Sequence, residues 1–322
     1  MIPFSTTADG RAVDVLTLSA GDLTARVLTY GAILQDVRLA GVDHGLTTGS
    51  DTLADYEGPM RYHGPIVAPV VNRLTGARAE IAGQTRRFEA NQGDDITLHS
   101  GSAGTQFAVW EVRDHGPAHA TLTTGMANGD GGFPGNRTIV ARFEVAPPAT
   151  LRLTVTVTTD APTLVNVANH SYWNLDGAED FAGHVLRVDA DRYLPTTPDF
   201  TPTGEIADVA GSQWDFRTER QIAPRDPPLD TNFCLSQTRT APRDVLWLRG
   251  RGGVTLTLAT TEPGVQVYDG RAARRPGHAP YETLAIEAQH WPDAPANPAF
   301  PSILLHPQET GLQVTEWRFS MN

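Results

Sequence analysis

Hydrophobic and polar residues alternate with a period of two along most of this chain, the signature of half-buried β-strands. NRTIVARFEVAP (Asn136 to Pro147) and TLRLTVTVTTDAP (Thr150 to Pro162) are β-branched alternating runs joined through Pro147-Pro148-Ala149, a hairpin pattern. Similar runs cover Val13 to Ala20, Leu23 to Gly41, Thr163 to Gly177, His184 to Pro195, Asp244 to Gly250, Val254 to Gly270 and Thr310 to Met321. Tyr30-Gly31 interrupts the second of these and predicts a bend or bulge. Leu53 to Met60 is turn-rich, and Leu194 to Asp226 is a long polar excursion with a short strand or turn. No apolar stripe of twelve residues at helical spacing carries caps. The pattern predicts an all-β fold. No composition shift, repeat or low-complexity segment divides the chain, so residues 1–322 are expected to form one domain.

One run ends unusually. Within TLAIEAQHWPD (Thr283 to Asp293), Leu284 and Ile286 alternate with Ala285 and Glu287, and Pro292 bars continuation as an ordinary central strand. A carboxylate among apolar neighbours has a raised proton affinity, which suits a general base. Alone, Glu287 reads more often as a strand-end carboxylate held by a backbone donor or an arginine. Other polar groups sit at the edges of apolar runs: Asn72 and Arg73 after IVAPVV, His99 after ITL, His170 in ANHSYWNL, Asp230 in LDTNF and Gln266 in TEPGVQVY. Each also has a structural reading. Asn72-Arg73 fits a turn cap with an ion-pair partner, the histidines fit a hydrogen-bonded core, and Asp230 fits an Asx cap. Tyr172 and Trp173 fit a core as well as a sugar platform.

Composition narrows the function. Hydrophobic residues make up 40% and charged residues 19%, enough for a packed core. A net charge of −12 without a basic run excludes a nucleic-acid partner from the expectations. The densest basic cluster, RAARRPGH (Arg271 to His278), reads as a solvated loop. The single cysteine, Cys234, leaves no internal disulfide and makes a reducing compartment the default. No secretory pattern or membrane-length apolar run occurs, and the cytoplasm is the expected location. No HExxH or HxH motif, glycine-rich phosphate loop or GxSxG elbow is present, so neither metal nor nucleotide cofactor is expected. Glu287 and His290, three apart on a strand, are expected to face opposite ways.

In order, VNR (Val71 to Arg73), LHSG (Leu98 to Gly101), DGGFPGN (Asp130 to Asn136), NHSYWNL (Asn169 to Leu175), LDTNF (Leu229 to Phe233), TEPGVQVY (Thr261 to Tyr268) and IEAQHWPDAPANPAFPSILLHP (Ile286 to Pro307) resemble the aldose 1-epimerases, the galactose mutarotase family. The resemblance spans roughly residues 60 to 307. It implies a large antiparallel β-sandwich with a sugar cleft on one sheet face and no cofactor. It further implies that Glu287 is the general base, His170 the general acid, and that Asn72, Arg73, His99, Asp230 and Gln266 hold a free aldose such as galactose or glucose. Two departures stand beside those motifs. Ala68-Pro69 replaces the usual Gly-Arg, and Ser100-Gly101 with Ser102 to Ala108 replaces a Gly-Gly and a lysine- and aspartate-rich segment; both bear on sugar preference. Three other readings remain: an epimerase of hexose 6-phosphates, a glycosidase using Asp230 and Glu287, and a sugar-binding protein without catalysis. Oligomeric state is left open between monomer and homodimer.

Overall fold

A computed structural model describes residues 1–321. Strands dominate, every strand pairing is antiparallel, and the one α-helix among the described residues is the five-residue Leu53–Glu57. The largest sheet has nine strands. It contains the paired runs Arg137–Ala146 and Thr150–Thr159, flanked by His119–Met126 on one side and by the central strand, Gly311–Met321, on the other. A separate four-stranded sheet takes up residues 2 to 39. There the run from Leu23 breaks into Leu23–Leu28 and Leu34–Leu39, with Gly31 at a φ of +62°. A side chain at Gly31 would also lie 2.9 Å from the Gln106 carbonyl oxygen, so the bend needs glycine on two counts.

The sheet that matters for function has six strands: β1 Tyr172–Trp173, β2 Arg192–Leu194, β3 Ala207–Asp208, β4 Asp230–Cys234, β5 Gly264–Tyr268 and β6 Leu284–Gln289. Their spatial order is β1-β6-β5-β4-β2-β3. One core cluster collects Phe233, Val265, Val267, Leu284 and Ile286 from this sheet and Leu153, Val155, Leu256, Trp317 and Phe319 from the nine-stranded one. The two sheets therefore share an apolar interior, and each keeps its alternate residues for the opposite face.

The run from Thr163 to Gly177 does not form one strand. It splits into Thr163–Leu164, Ala168–Asn169 and β1, which pair with Leu304–Leu305, Ile66–Val67 and β6 respectively. Alternation reports which residues are buried and not how many partners a segment has. Here two short pairings lie in separate two-stranded sheets and only the third joins the six-stranded sheet. Trp173 ends inside the core, 6.0 Å from the Trp317 ring and 5.6 Å from Phe319. Trp173→Ala should cost about 3–5 kcal/mol, read as a lower midpoint in urea unfolding.

Candidate active site

β6 is buried along its whole length, yet its two faces differ. Leu284, Ile286 and Ala288 belong to the core, so Glu287 faces away from it. Antiparallel register then sets a row of polar groups beside it. Glu287 lies opposite Gln266 on β5, and Tyr268, two residues along on the same face, lies opposite Asp230 on β4. Gln266 Nε2 donates to Asp230 Oδ1 at 2.6 Å. Three strands close in space thus bring together residues 57 positions apart in sequence.

Loops complete a cavity of about 270 Å³ over this row. It is lined by all seven residues singled out in the sequence: Glu287, His170, Asn72, Arg73, His99, Asp230 and Gln266. His170 follows the short Ala168–Asn169 strand, and its backbone N–H donates to the Pro65 carbonyl at 2.9 Å. Its Nε2 lies 3.5 Å from Glu287 Oε1, whereas Glu287 Oε2 and His170 Nδ1 have no protein partner. Asn72 and His99 both have left-handed backbone, at φ +63° and +51°, and they grip each other. The Asn72 N–H donates to His99 Nδ1 at 3.2 Å, and the His99 N–H donates to the Asn72 carbonyl at 2.9 Å. A buried histidine held at positive φ is the kind of local strain that surrounding structure must enforce. Arg73 Nε donates to Gln92 Oε1 at 2.9 Å, with Nη2 3.7 Å from Asp230 Oδ2.

Burial sets the protonation of these groups. Desolvation pushes Glu287 up to about 8, assisted by the Asp230 charge and opposed by Arg73. Desolvation lowers His170 to about 4 and holds His99 well below its ordinary value, where the His170 and Arg73 charges add to the effect. His99 is therefore neutral near pH 7, and because its Nδ1 accepts a hydrogen bond, its proton is on Nε2. Asp230 is raised, again chiefly by desolvation, with Arg73 and Gln266 pulling it back.

The sequence reading missed several lining residues. Tyr268 could have been found, since it shares the face of Gln266 by simple alternation. Tyr62 and His63 lie in a turn-rich segment that carries no periodic signal. Tyr62 packs 4.6 Å from the His99 ring, and His63 stacks on Tyr172 at 4.3 Å. Tyr172 lines the cavity, as its neighbour Trp173 does not. His290 turns away, as the strand period predicts, toward Glu262 at 3.9 Å. The departures from the family pattern also lie behind the cavity lining. Ser100 Oγ donates to the Val70 carbonyl at 2.8 Å, and Thr105 Oγ1 donates to the Ile66 carbonyl at 2.7 Å. They brace the backbone under Asn72 and His99 and do not line the cavity. A larger hollow of about 520 Å³ elsewhere is rimmed by the pairs Arg26–Asp51, Arg38–Asp36 and Arg275–Glu282 and holds none of the seven.

The family model for aldose 1-epimerase matches residues 14–317. This chain belongs to the aldose 1-epimerase family. It is an isomerase of that family, and its relatives match over nearly their whole lengths. Galactose mutarotase from Rattus norvegicus is 28% identical, with 97% of this chain and 95% of the rat protein covered. Aldose 1-epimerase from Escherichia coli is also 28% identical, over 97% of this chain and 96% of the bacterial one. Among solved structures, an aldose epimerase homologue from C. elegans superposes with a TM-score of 0.88 at 27% identity, covering 96% of this chain and 99% of that one. A galactose 1-epimerase from Lactobacillus acidophilus gives 0.86 at 25% identity, covering 100% and 98%. Among the described residues, no helix of this epimerase-family chain is long and apolar enough to cross a membrane.

Proposed function

We propose that this protein interconverts the α and β anomers of a free aldose such as galactose or glucose, with Glu287 as general base and His170 as general acid. The observation that carries the reading is the Glu287–His170 pair, 3.5 Å apart on the wall of a cavity that also holds Arg73, His99 and Asp230. The fold reading that accompanies it is a single domain, an antiparallel sandwich of the nine- and six-stranded sheets. Their common core supports it. A cytoplasmic location fits the composition.

Mutarotation needs one proton removed from the anomeric hydroxyl and one delivered to the ring oxygen. Glu287, as carboxylate, takes the O1 proton. The C1–O5 bond breaks as C1=O1 forms, and O5 takes the proton of the His170 imidazolium. Rotation about C1–C2 presents the other aldehyde face. Reversal returns the O1 proton from Glu287 and the O5 proton to His170. Arg73 and the Nε2–H of His99 donate toward charge building on the ring oxygen, while Asn72, Asp230 and Gln266 hold neighbouring hydroxyls.

The electrostatics set which protonation form each half of the cycle starts from. Charged Glu287 and His170 are both opposed by burial, so the pair is most stable holding its single proton on Glu287 with His170 neutral. That is the protonation state of the ring-opened complex. Ring opening therefore starts from the minority ion-pair form, and the desolvation it relieves is what forming that pair cost.

The test is polarimetry of freshly dissolved α-anomer, run with galactose, glucose, arabinose and xylose. Acceleration over buffer is expected; no acceleration for any sugar would sink the proposal. The pH dependence follows from the same pair. Below about 4 both members are protonated and no base remains; above about 8 neither is protonated and no acid remains. The expected kcat/KM profile is a bell between those limits, and activity rising steadily through pH 9 would contradict the assignment. Asp230 is committed to Gln266 and Arg73, which leaves Glu287 without the free carboxyl partner a glycosidase needs.

A further inference from the structure

The basic segment RAARRPGH does not begin in a solvated loop. Arg271 follows β5 by three residues and lines the cavity beside Tyr268. Its guanidinium is fixed. Nε donates to Asp269 Oδ1 at 2.8 Å and Nη2 to Asp269 Oδ2 at 2.7 Å, and Nη2 donates also to the Leu229 carbonyl at 3.2 Å. Asp269 cannot swing away, because it is fully buried and accepts from the Leu229 and Arg271 backbone N–H groups at 3.2 Å. Three of five donors are therefore used. The two hydrogens on Nη1 have no partner among the described residues, and Nη1 remains accessible.

Phe200 stands beside it. The ring lies 5.9 Å from the Arg271 guanidinium carbon and 5.3 Å from that of Arg73. Phe200 comes from the long excursion after β2 and has a φ of +63°. Its loop is tied to the site through Gln92, which accepts from Arg73 Nε and donates to the Asp199 carbonyl at 2.9 Å. The result is an apolar ring bracketed by two rigid donors, matching the apolar face and hydroxyl edge of a pyranose.

We propose that Arg271 is a specificity-determining residue, donating through Nη1 to one hydroxyl of a neutral sugar and disfavouring sugars that carry a carboxylate at that position. This deepens the epimerase reading and rests on it. Charge decides between hydroxyl and carboxylate. The Arg271 cation is already balanced by Asp269, and Asp230 adds a second carboxylate nearby. An acidic sugar would place a further anion against a pair with no net charge to offer, whereas a hydroxyl needs only the preset donor.

The experiment compares wild type, Arg271→Met and Asp269→Asn for galactose, its singly deoxygenated analogues and galacturonate. Anomer relaxation and calorimetric binding are both measured, and circular dichroism checks the fold. Arg271→Met should raise KM and Kd for galactose by about 10- to 100-fold, the scale of one hydrogen bond from a charged donor, with kcat changing much less. One deoxy analogue, penalised in wild type, should bind the variant as well as galactose does. Asp269→Asn frees the cation and should shift preference toward galacturonate by about tenfold or more. Unchanged galactose affinity in Arg271→Met, or wild-type affinity for galacturonate equal to that for galactose, would overturn the proposal. Calorimetry reads Arg271 even if no anomer relaxes, so a silent wild type counts against the epimerase reading and not against this one.

Discussion

Glu287→Gln should remove at least about 1,000-fold of the kcat/KM for anomer relaxation while leaving sugar binding within about tenfold of wild type. Glutamine fits the volume and polarity of the site but cannot accept the O1 proton. The same variant should be more stable at alkaline pH. The folded-state value of Glu287 is raised from 4.5 to about 8, so the native protein binds a proton that the unfolded chain releases above 4.5. The stability contributed by that protonation is full below 4.5 and is lost as pH rises through 8. Above 8 the native state must carry a buried carboxylate, at a cost of a few kcal/mol. Glu287→Gln escapes that cost, so its thermal midpoint should exceed that of wild type at pH 9 and match it at pH 5. Lost activity with a gained midpoint separates a base from a merely structural carboxylate, whose loss would lower stability at both pH values. Wild-type-like relaxation by the variant would end the assignment.

The legible and illegible parts of this site divide along a physical line. Alternation located Glu287 on the non-core face of β6, and the same alternation places Gln266 and Tyr268 on one face of β5. What a strand period encodes is direction, and direction was readable. Cross-strand register was not, because it depends on partners far away in sequence; hence Thr163 to Gly177 reads as one run and folds as three pairings. Loops are the least legible. Arg271 in its basic cluster looks solvated because sequence cannot show that Asp269, two residues earlier, is buried and turns the guanidinium back toward the cavity. Phe200 sits in a polar excursion that returns to the site through a hydrogen bond from Gln92 and the stacking of Arg73 and Arg271 on its ring. Trp173 and Tyr172 show the middle case: neighbours on a strand must face opposite ways, so only one could ever meet a ligand, and register chose Tyr172.

His170→Gln should lower kcat/KM by about 100- to 10,000-fold, because O5 then leaves without a proton donor. The more informative measurement is the double variant. Glu287 and His170 hold one proton between them across 3.5 Å, and each is useful only while the other can take the opposite end of the transfer. Groups that act as a unit lose nearly everything with the first deletion. Glu287→Gln with His170→Gln should therefore be about as slow as the worse single variant and not slower by the product of the two losses. The pH profiles should change in parallel. The wild-type bell has its acid limb near 4 from His170 and its alkaline limb near 8 from Glu287, but these are properties of the coupled pair. Removing His170 should leave the residual activity of that variant with a single ionisation. Removing the partner imidazole also removes the alternative site for the proton, so that ionisation belongs to Glu287 alone and is still raised by desolvation. If the two losses instead multiply, the residues act at separate steps and the shared-proton account of ring opening is wrong.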